Sequence, residues 1–378
     1  MPKFLNTIYQ ITQSAPATPS TGGVLYASGS SVFFKNTTGT EYNLTGSKGY
    51  IQIIEYTSSG TWSKPANVKY VKLAAVGAGG GGGGGARDAV TNAVGGGGGG
   101  AGGQISVVFY NASDIPAGTY TASVATSANG GAGRATTNGA GTAGSSGGTT
   151  SLVSASRTLI TAGGGGGGTG GGQGGAFAQG GANSLSATLL NVLPFRIVGN
   201  AGGRYSTTPQ AATPYLGITA DTANQARSGF RGTGGGGAGG GITAAGGLQN
   251  GASGSGIYLI DGTVFTSGSP GTGGSTPANS GSNGGSNVVT AASLLSFSGS
   301  ATVTSSYGFG MGGHGAGGGN AAGTVNGGKG GDGGYFGAGG GGGGGGRASS
   351  NGGSGGSGGA GYLIILEYYP HHPNYQHP

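Results

Sequence analysis

The sequence contains no cysteine. Disulfide staples, thiolate metal sites and cysteine nucleophiles are excluded together. Charge is almost as scarce: 6% of the 378 residues are Asp, Glu, Lys or Arg, and the net excess is +7. That excess is scattered, with six of the seven Lys before Val76 and all eight Arg from Arg87 onward. No basic run interleaves with aromatics, so nucleic acid is not an expected partner. No stretch approaches the about 18 apolar residues of a membrane-spanning helix, so membrane insertion is not expected. "MPKFLNTIYQ" lacks a secretory hydrophobic region, which implies synthesis in the cytoplasm without a signal peptide. No segment of a dozen residues carries helical periodicity either.

What the chain has in excess is glycine, 103 residues of it. Without a Gly-X-Y period and with only 13 Pro, this is not collagen. A glycine-rich chain would by default be a disordered linker. Yet 17 Tyr, 11 Phe and 34% apolar residues are material for a core. The glycines gather in tracts at 79–85, 95–100, 163–168, 234–241 (interrupted by Ala238) and 339–346. Each follows or precedes a strand-like segment. Strand-like segments are expected at 50–57, 68–76, 104–110 and 119–124, an apolar, β-branched and aromatic run predicts another at 362–369, and two more fall within 149–165. Three shorter ones are expected at 24–27, 31–34 and 40–44, with "KNTTG" as a turn.

A buried glycine tract must find partners for all its amides and carbonyls. One geometry does so: the left-handed threefold polyproline-II-like helix, slim, with its polar groups pointing outward. Eight residues at about 3.1 Å each span roughly 25 Å, the length of a good strand. The expected fold class is all-β: β-sandwich-like strands combined with packed polyglycine-II-type helices, preceded by a small N-terminal β module. On this reading a valine inside a tract costs far more than the same change at residues 350–356, "SNGGSGG".

Five regions follow: 1–47 for attachment and oligomerisation, 48–175 for a β domain with the first tracts, 176–307 for variable glycine-interrupted segments, 308–370 for the closing tracts and last strand, and 371–378 for a His/Pro tail. In the first region Val24, Leu25, Tyr26, Val32, Phe33, Phe34, Tyr42 and Leu44 sit on strands too short to enclose them. A closed homo-oligomer would cover such a patch on every copy.

Several motifs are matches by composition. Gly77, Gly79 and Gly82 fit G-x-G-x-x-G after a strand, but the helix and acidic residue that a dinucleotide site needs are missing. "GTVNGGKG" is a P-loop without its Ser/Thr or helix. "GGKGGDGGY" is half of a calcium-roll repeat and occurs once. His371, His372 and His377 read as a solvated, Pro-fixed terminus. No cofactor, metal site or catalytic residue is expected. Trp62 reads as a core anchor.

"GTWSKPANVKYVKLAAVGAGGGGGGG" resembles the entry to the glycine-rich domain of bacteriophage tail-fibre and adhesin proteins. "PAGTYTASVATSANGGAG" and "GGTTSLVSASRTLITAGGGGGG" fall where that family carries further strands and a second tract, and "AGGGGGGGGRASSNGGSGGSGGAGYLIILEYY" is similar to its closing tract and strand. The N-terminal "PATPSTGGVLYASGSSVFFKNTTGTEYNLTG" resembles the short β module that precedes many virion appendage domains. The resemblance implies a virion appendage, a tail fibre or fibre-tip adhesin that binds a host cell-surface receptor without enzymatic activity. It implies a homotrimer, N-terminal docking on other virion proteins, and a host surface glycan or outer-membrane receptor as ligand. The alternative is a purely structural virion protein: a head fibre, decoration or baseplate component. The excursions between tracts are the segments freest to vary. Within them Arg204, Tyr205 and Tyr215 are the expected receptor contacts, because Arg and aromatic side chains anchor interfaces.

Overall fold

The structure is a computed structural model that describes residues 17–18, 24–28, 31–39, 41–43, 51–88, 92–136, 138–173, 195–197, 199, 202–203, 233–252, 254, 326–334 and 336–369. Its contacts separate two units, one of Met1–Gln52, Ala66–Tyr70 and Glu367–Pro378, the other of Ile53–Pro65 and Val71–Leu366. Among the described residues the regular structure is strand, apart from one 3-10 turn at Ala112–Asp114. The chain is all-β. No helix among these residues is long and apolar enough to cross a membrane.

In the first unit β1 (Val24–Ser28), β2 (Ser31–Lys35) and β3 (Glu41–Asn43) form an antiparallel sheet. The register sets Leu25 opposite Phe34, Tyr26 opposite Phe33 and Phe34 opposite Tyr42. Asn36 starts the β2–β3 turn: its Oδ1 accepts from the Thr38 amide at 3.0 Å and the Thr38 hydroxyl at 2.7 Å. The Asn36 carbonyl accepts from the Gly39 amide at 3.0 Å, and Gly39 takes φ +83°, which favours glycine. The three expected strands are therefore present. Val24 is half-buried, while the side chains of Leu25, Tyr26, Val32, Phe33, Phe34 and Tyr42, and all of Leu44, lie outside the described residues.

The other strands are β4 (Ile51–Tyr56), β5 (Gly60–Ser63), β6 (Tyr70–Val76), β7 (Arg87–Asp88), β8 (Ile105–Asn111), β9 (Thr119–Ser123), β10 (Thr150–Val153), β11 (Thr158–Ala162), β12 (Phe195–Ile197), β13 (Gly346–Arg347) and β14 (Tyr362–Tyr368). They form a four-stranded sheet in the order β11-β10-β9-β5 and a five-stranded sheet in the order β12-β8-β6-β14-β4. In β14, Tyr362 to Leu366 are at most 1% exposed, which is why this strand reads as an unbroken apolar run rather than an alternation. Trp62 on β5 is buried, as expected, with its ring 5.5 Å from that of its register partner Tyr120. β5 itself was not legible: glycine and two hydroxyl residues around one Trp give no alternation. β11 touches β8, and the Tyr110 hydroxyl donates to the Leu159 carbonyl at 2.7 Å.

Between strands and turns run the glycine segments: T1 (77–86), T2 (95–104), T3 (125–134), T4 (139–148), T5 (163–173), T6 (234–241), T7 (327–334), T8 (338–346) and T9 (351–361). T1 lies at the centre. Its amides donate in three directions with a period of three residues. Gly77, Gly80, Gly83 and Ala86 donate to Gln104, Ala101, Gly98 and Gly95 of T2. Ala78, Gly81 and Gly84 donate to Gly148, Ser145 and Thr142 of T4, and Gly79, Gly82 and Gly85 to Gly359, Gly356 and Gly353 of T9. All ten bonds measure 2.8–3.1 Å. T1 carbonyls accept from three other tracts: from Gly165, Gly168 and Gly171 of T5, from Gly340, Gly343 and Gly346 of T8, and from Gly131 and Arg134 of T3.

The six neighbours also bond to one another in a closed ring. Gly98 of T2 donates to Thr169 of T5, Gly144 of T4 to Gly168 of T5, and Ser145 of T4 to Asn129 of T3. Gly355 of T9 then donates to Gly131 of T3, Gly356 of T9 to Gly341 of T8, and Gly100 of T2 to Gly340 of T8. Going round, antiparallel and parallel tracts alternate. T6 joins T2 and T8, while T7 joins T8 and T9.

Glycines that face another tract's backbone leave no room for a side chain. A Cβ on Gly82 would fall 2.0 Å from the Gly341 carbonyl oxygen. T9 in the ring and T7 outside it keep glycine on the positions that face other tracts and carry side chains at every third one: Asn351, Ser354, Ser357 and Ala360 in T9, and Asn326, Lys329 and Asp332 leading through T7. The same period brings Lys329 Nζ to 3.2 Å from Asp332 Oδ2. The expectation that valine at residues 350–356 would cost far less than inside a tract is overturned here. A Cβ on Gly355 would lie 2.0 Å from the Gly82 carbonyl oxygen, so this stretch is part of the packing.

Strands run directly into tracts, and their order is kept. The sheet order β8-β6-β14 continues as T2, T1, T9, and β11-β10-β9 continues as T5, T4, T3, each pair of neighbours remaining hydrogen-bonded. At the junction, buried side chains bond backbone groups. Gln104 Oε1 accepts from the Gly163 amide at 3.0 Å, Thr150 Oγ1 accepts from the Ala125 amide at 3.3 Å, and Thr233 Oγ1 donates to the Gly103 carbonyl at 2.6 Å. The amides of Gly77, Gly79 and Gly82 are bonded within the packing, as are those of Gly327 and Gly330. Among the described residues neither glycine motif presents a phosphate cradle.

Candidate functional site

T1, T2, T3, T4 and T9 each meet a sheet strand at one end and a turn at the other, whereas T8 runs between two turns. Residues 87–88, 92–94, 135–136, 138 and 347–350, with residues 242–248, collect at the far end from the sheets, since Arg134 donates its amide to Gly85 and Gly346 its amide to Ala86. Here the chain leaves the glycine packing and regains side chains.

A small apolar plug closes this end: Ala86, Val94 and Ile242 are each 0% exposed and in mutual contact. Val94 and Ile242 exchange backbone bonds at 2.8 and 2.7 Å. Leu248, bridged to Ile242, is 43% exposed.

Arg87 ties three turns together. It follows T1, and β7 pairs in parallel with β13, setting Gly346 beside Arg87 and Arg347 beside Asp88. Its guanidinium donates to the Ala135 carbonyl in the T3–T4 turn, and to the Ala348 carbonyl at 3.2 Å and Asn351 Oδ1 at 3.4 Å in the T8–T9 turn. Its carbonyl accepts from Gln173 Nε2 at 3.2 Å, at the end of T5. Asp88 is buried, and its Oδ2 accepts from Asn92 Nδ2 at 3.2 Å and Gln173 Nε2 at 3.3 Å. The Asp88 carbonyl accepts from the amide of Ala348, whose φ of +60° lies in the left-handed region. Arg347 donates to the Ala244 carbonyl at 3.3 Å, and Arg134 is exposed.

Among the described residues the turn end therefore carries Arg87, Arg134 and Arg347 with one buried acid, Asp88. None of the three was a predicted site residue, although a signal was present: each directly follows the end of a glycine stretch, in "GGAR", "GAGR" and "GGGR". Arg204 follows "AGG" in the same manner, but Arg204, Tyr205 and Tyr215 lie outside the described residues, as does the His tail. Among the described residues no group of three or more His, Cys, Asp or Glu is placed to hold a metal ion. Compared with protein-family models and with curated proteins, the chain matches none.

Proposed function

We propose that this chain is a phage virion appendage, a tail fibre or fibre-tip adhesin that binds a host cell-surface receptor without catalysis. The observation that carries the reading is the division of the core into strands at one end and turns at the other, joined by tracts almost without side chains. Such a body holds its turns in fixed positions while contributing little surface of its own, which suits display. We read the tracts as polyglycine-II-type helices, supported by their three-residue bonding period and six-fold neighbourhood. The two sheets are read as a β-sandwich, supported by the contact of Tyr110 with Leu159.

Residues 1–47 would attach the chain to the particle or to its own copies as a homotrimer. Three strands of at most five residues bury too little alone to stand as a free domain. Mass measurement in solution tests this: a monomer at micromolar concentration, with the hairpin sheet formed, removes the trimer. The adhesin reading is tested with labelled full chain on a panel of intact bacteria and on the same cells stripped of surface glycan and protein. Saturable binding lost on stripping is expected; no saturable binding to any cell overturns it. Labelling on the capsid rather than the tail, seen by microscopy of particles, would favour a structural virion component.

A further inference from the structure

We propose that the turn end of the tracts recognises an oxyanion-bearing surface glycan, one carrying phosphate or carboxylate groups, through Arg134 and Arg347. The proposal rests on the adhesin reading and names the chemistry of its ligand.

The charge pattern carries it. Within the described tracts and their turns the charged residues are Arg87, Asp88, Arg134, Lys329, Asp332 and Arg347. Lys329 and Asp332 compensate each other at 3.2 Å. The remainder of these described residues stand at the turn end, three cations and one anion. Asp88, 2% exposed and held by two side-chain amides, can offset one guanidinium at most. Carbonyl oxygens of Ala348 and Ala244 and the Asn351 Oδ1 accept from Arg87 and Arg347 and orient these guanidiniums without themselves carrying charge.

Geometry adds to charge. The arginines come from three turns, and the Arg87 hub and the β7–β13 pair fix these turns to one another, so little ordering remains to be done on binding. A planar guanidinium matches phosphate and carboxylate with two parallel bonds, and arginine retains its charge at every physiological pH. A sugar bearing such groups meets a surface with no exposed acid among its described residues. A neutral glycan would gain only ordinary hydrogen bonds from this arrangement, about half as strong as those to an oxyanion, and an acidic protein surface would require more apolar contact than Leu248 offers.

The test uses the full chain and three probes: a phosphorylated lipopolysaccharide core oligosaccharide, the same oligosaccharide after dephosphorylation, and polygalacturonate as a carboxylate polymer. Binding of the first or third is expected, weakening about tenfold between low and high salt as screening shortens the field. Dephosphorylation should weaken the first by about tenfold, and Arg134→Ala with Arg347→Ala should weaken either by at least that much. Amide exchange in T1 should be unchanged in this double variant; if it is not, Arg134→Gln alone, at an exposed position, takes its place. No binding of either anionic probe, equal affinity for the dephosphorylated one, or variants that bind as the parent overturns the proposal. Cell binding that ignores phosphate and carboxylate removes this inference alone. Oligosaccharide binding without cell binding removes the adhesin reading and leaves the anion site standing.

Discussion

Gly82 and Gly341 meet backbone to backbone, so closely that a single methyl on Gly82 would lie 2.0 Å from the Gly341 carbonyl oxygen. No rotamer change relieves this, because both partners are main chain. Gly82→Ala should destabilise the protein by more than about 3 kcal/mol, above the usual range for overpacking, and abolish cooperative melting in the extreme case. Ala143→Val, on the exposed side of T4, should change stability by no more than about 0.5 kcal/mol. Equal melting temperatures for the two variants would contradict the packing.

The T9 stretch offers a sharper contrast between two adjacent residues. Gly355→Ala should behave like Gly82→Ala, since its Cβ would meet the Gly82 carbonyl oxygen at 2.0 Å. Ser354→Ala, one residue earlier and exposed, should be neutral within about 0.5 kcal/mol. Thermal melts of the pair decide it.

These two cases also mark what the sequence made legible. Strands were readable because Tyr362–Tyr368 and Tyr70–Val76 carry β-branched and apolar residues at strand spacing. The unbroken tracts were readable because few other structures tolerate seven or eight consecutive glycines. T4 and T9 were hidden, because serine, threonine and alanine dilute their glycine to every third position or to two in three. Composition sees dilution, whereas packing sees phase: the positions that matter are the ones facing another backbone. The arginines of the turn end escaped for a related reason. Each is solitary in sequence, and only the alignment of tracts gathers them.

Amide hydrogen exchange measures the lattice directly. The amides of Gly82, Gly83 and Gly341 should exchange near the rate set by global unfolding, because each is bonded and buried. Exchange of these amides at the speed of a free peptide would show that the tracts are not packed.

Arg87→Ala removes the bonds from one guanidinium to the T3–T4 and T8–T9 turns. Loss of about 1–3 kcal/mol is expected from the orphaned carbonyls, with faster exchange at Gly139 and Ala348, whose amides donate to the Arg87 and Asp88 carbonyls. Exchange at Gly82 should stay slow. Uniform acceleration along T1 would mean that Arg87 supports the whole lattice rather than its end.

Burial pushes the Tyr110 phenol above its ordinary value of 10.0, with the Arg157 charge opposing the shift and Tyr120 adding to it. The folded state therefore holds this proton more tightly than the unfolded one. Its contribution is fully present below pH 10 and is lost as pH rises through the raised value. Melting temperature should fall on alkaline titration. Tyr110→Phe should be less stable at neutral pH by about 1 kcal/mol, having lost the bond to Leu159, but should show a shallower alkaline decline. An identical decline in both proteins would exclude Tyr110 as a source.

The ring around T1 has a consequence for how the molecule is made. T1 occupies residues 77–86, yet two of the six tracts that enclose it, T8 and T9, are contributed by residues 338–361. Synthesis from the N-terminus lays down the innermost segment early and its last neighbours some 250 residues later. Until then its amides facing T9 and its carbonyls facing T8 can bond only to water or to a passing chain. A ribosome stalled, or a gene cut, before the final hairpin of tracts would leave not a smaller version of the protein but an open one. The last strand, Tyr362–Tyr368, acts as a completion mark, fixed in place only once nothing is missing before it.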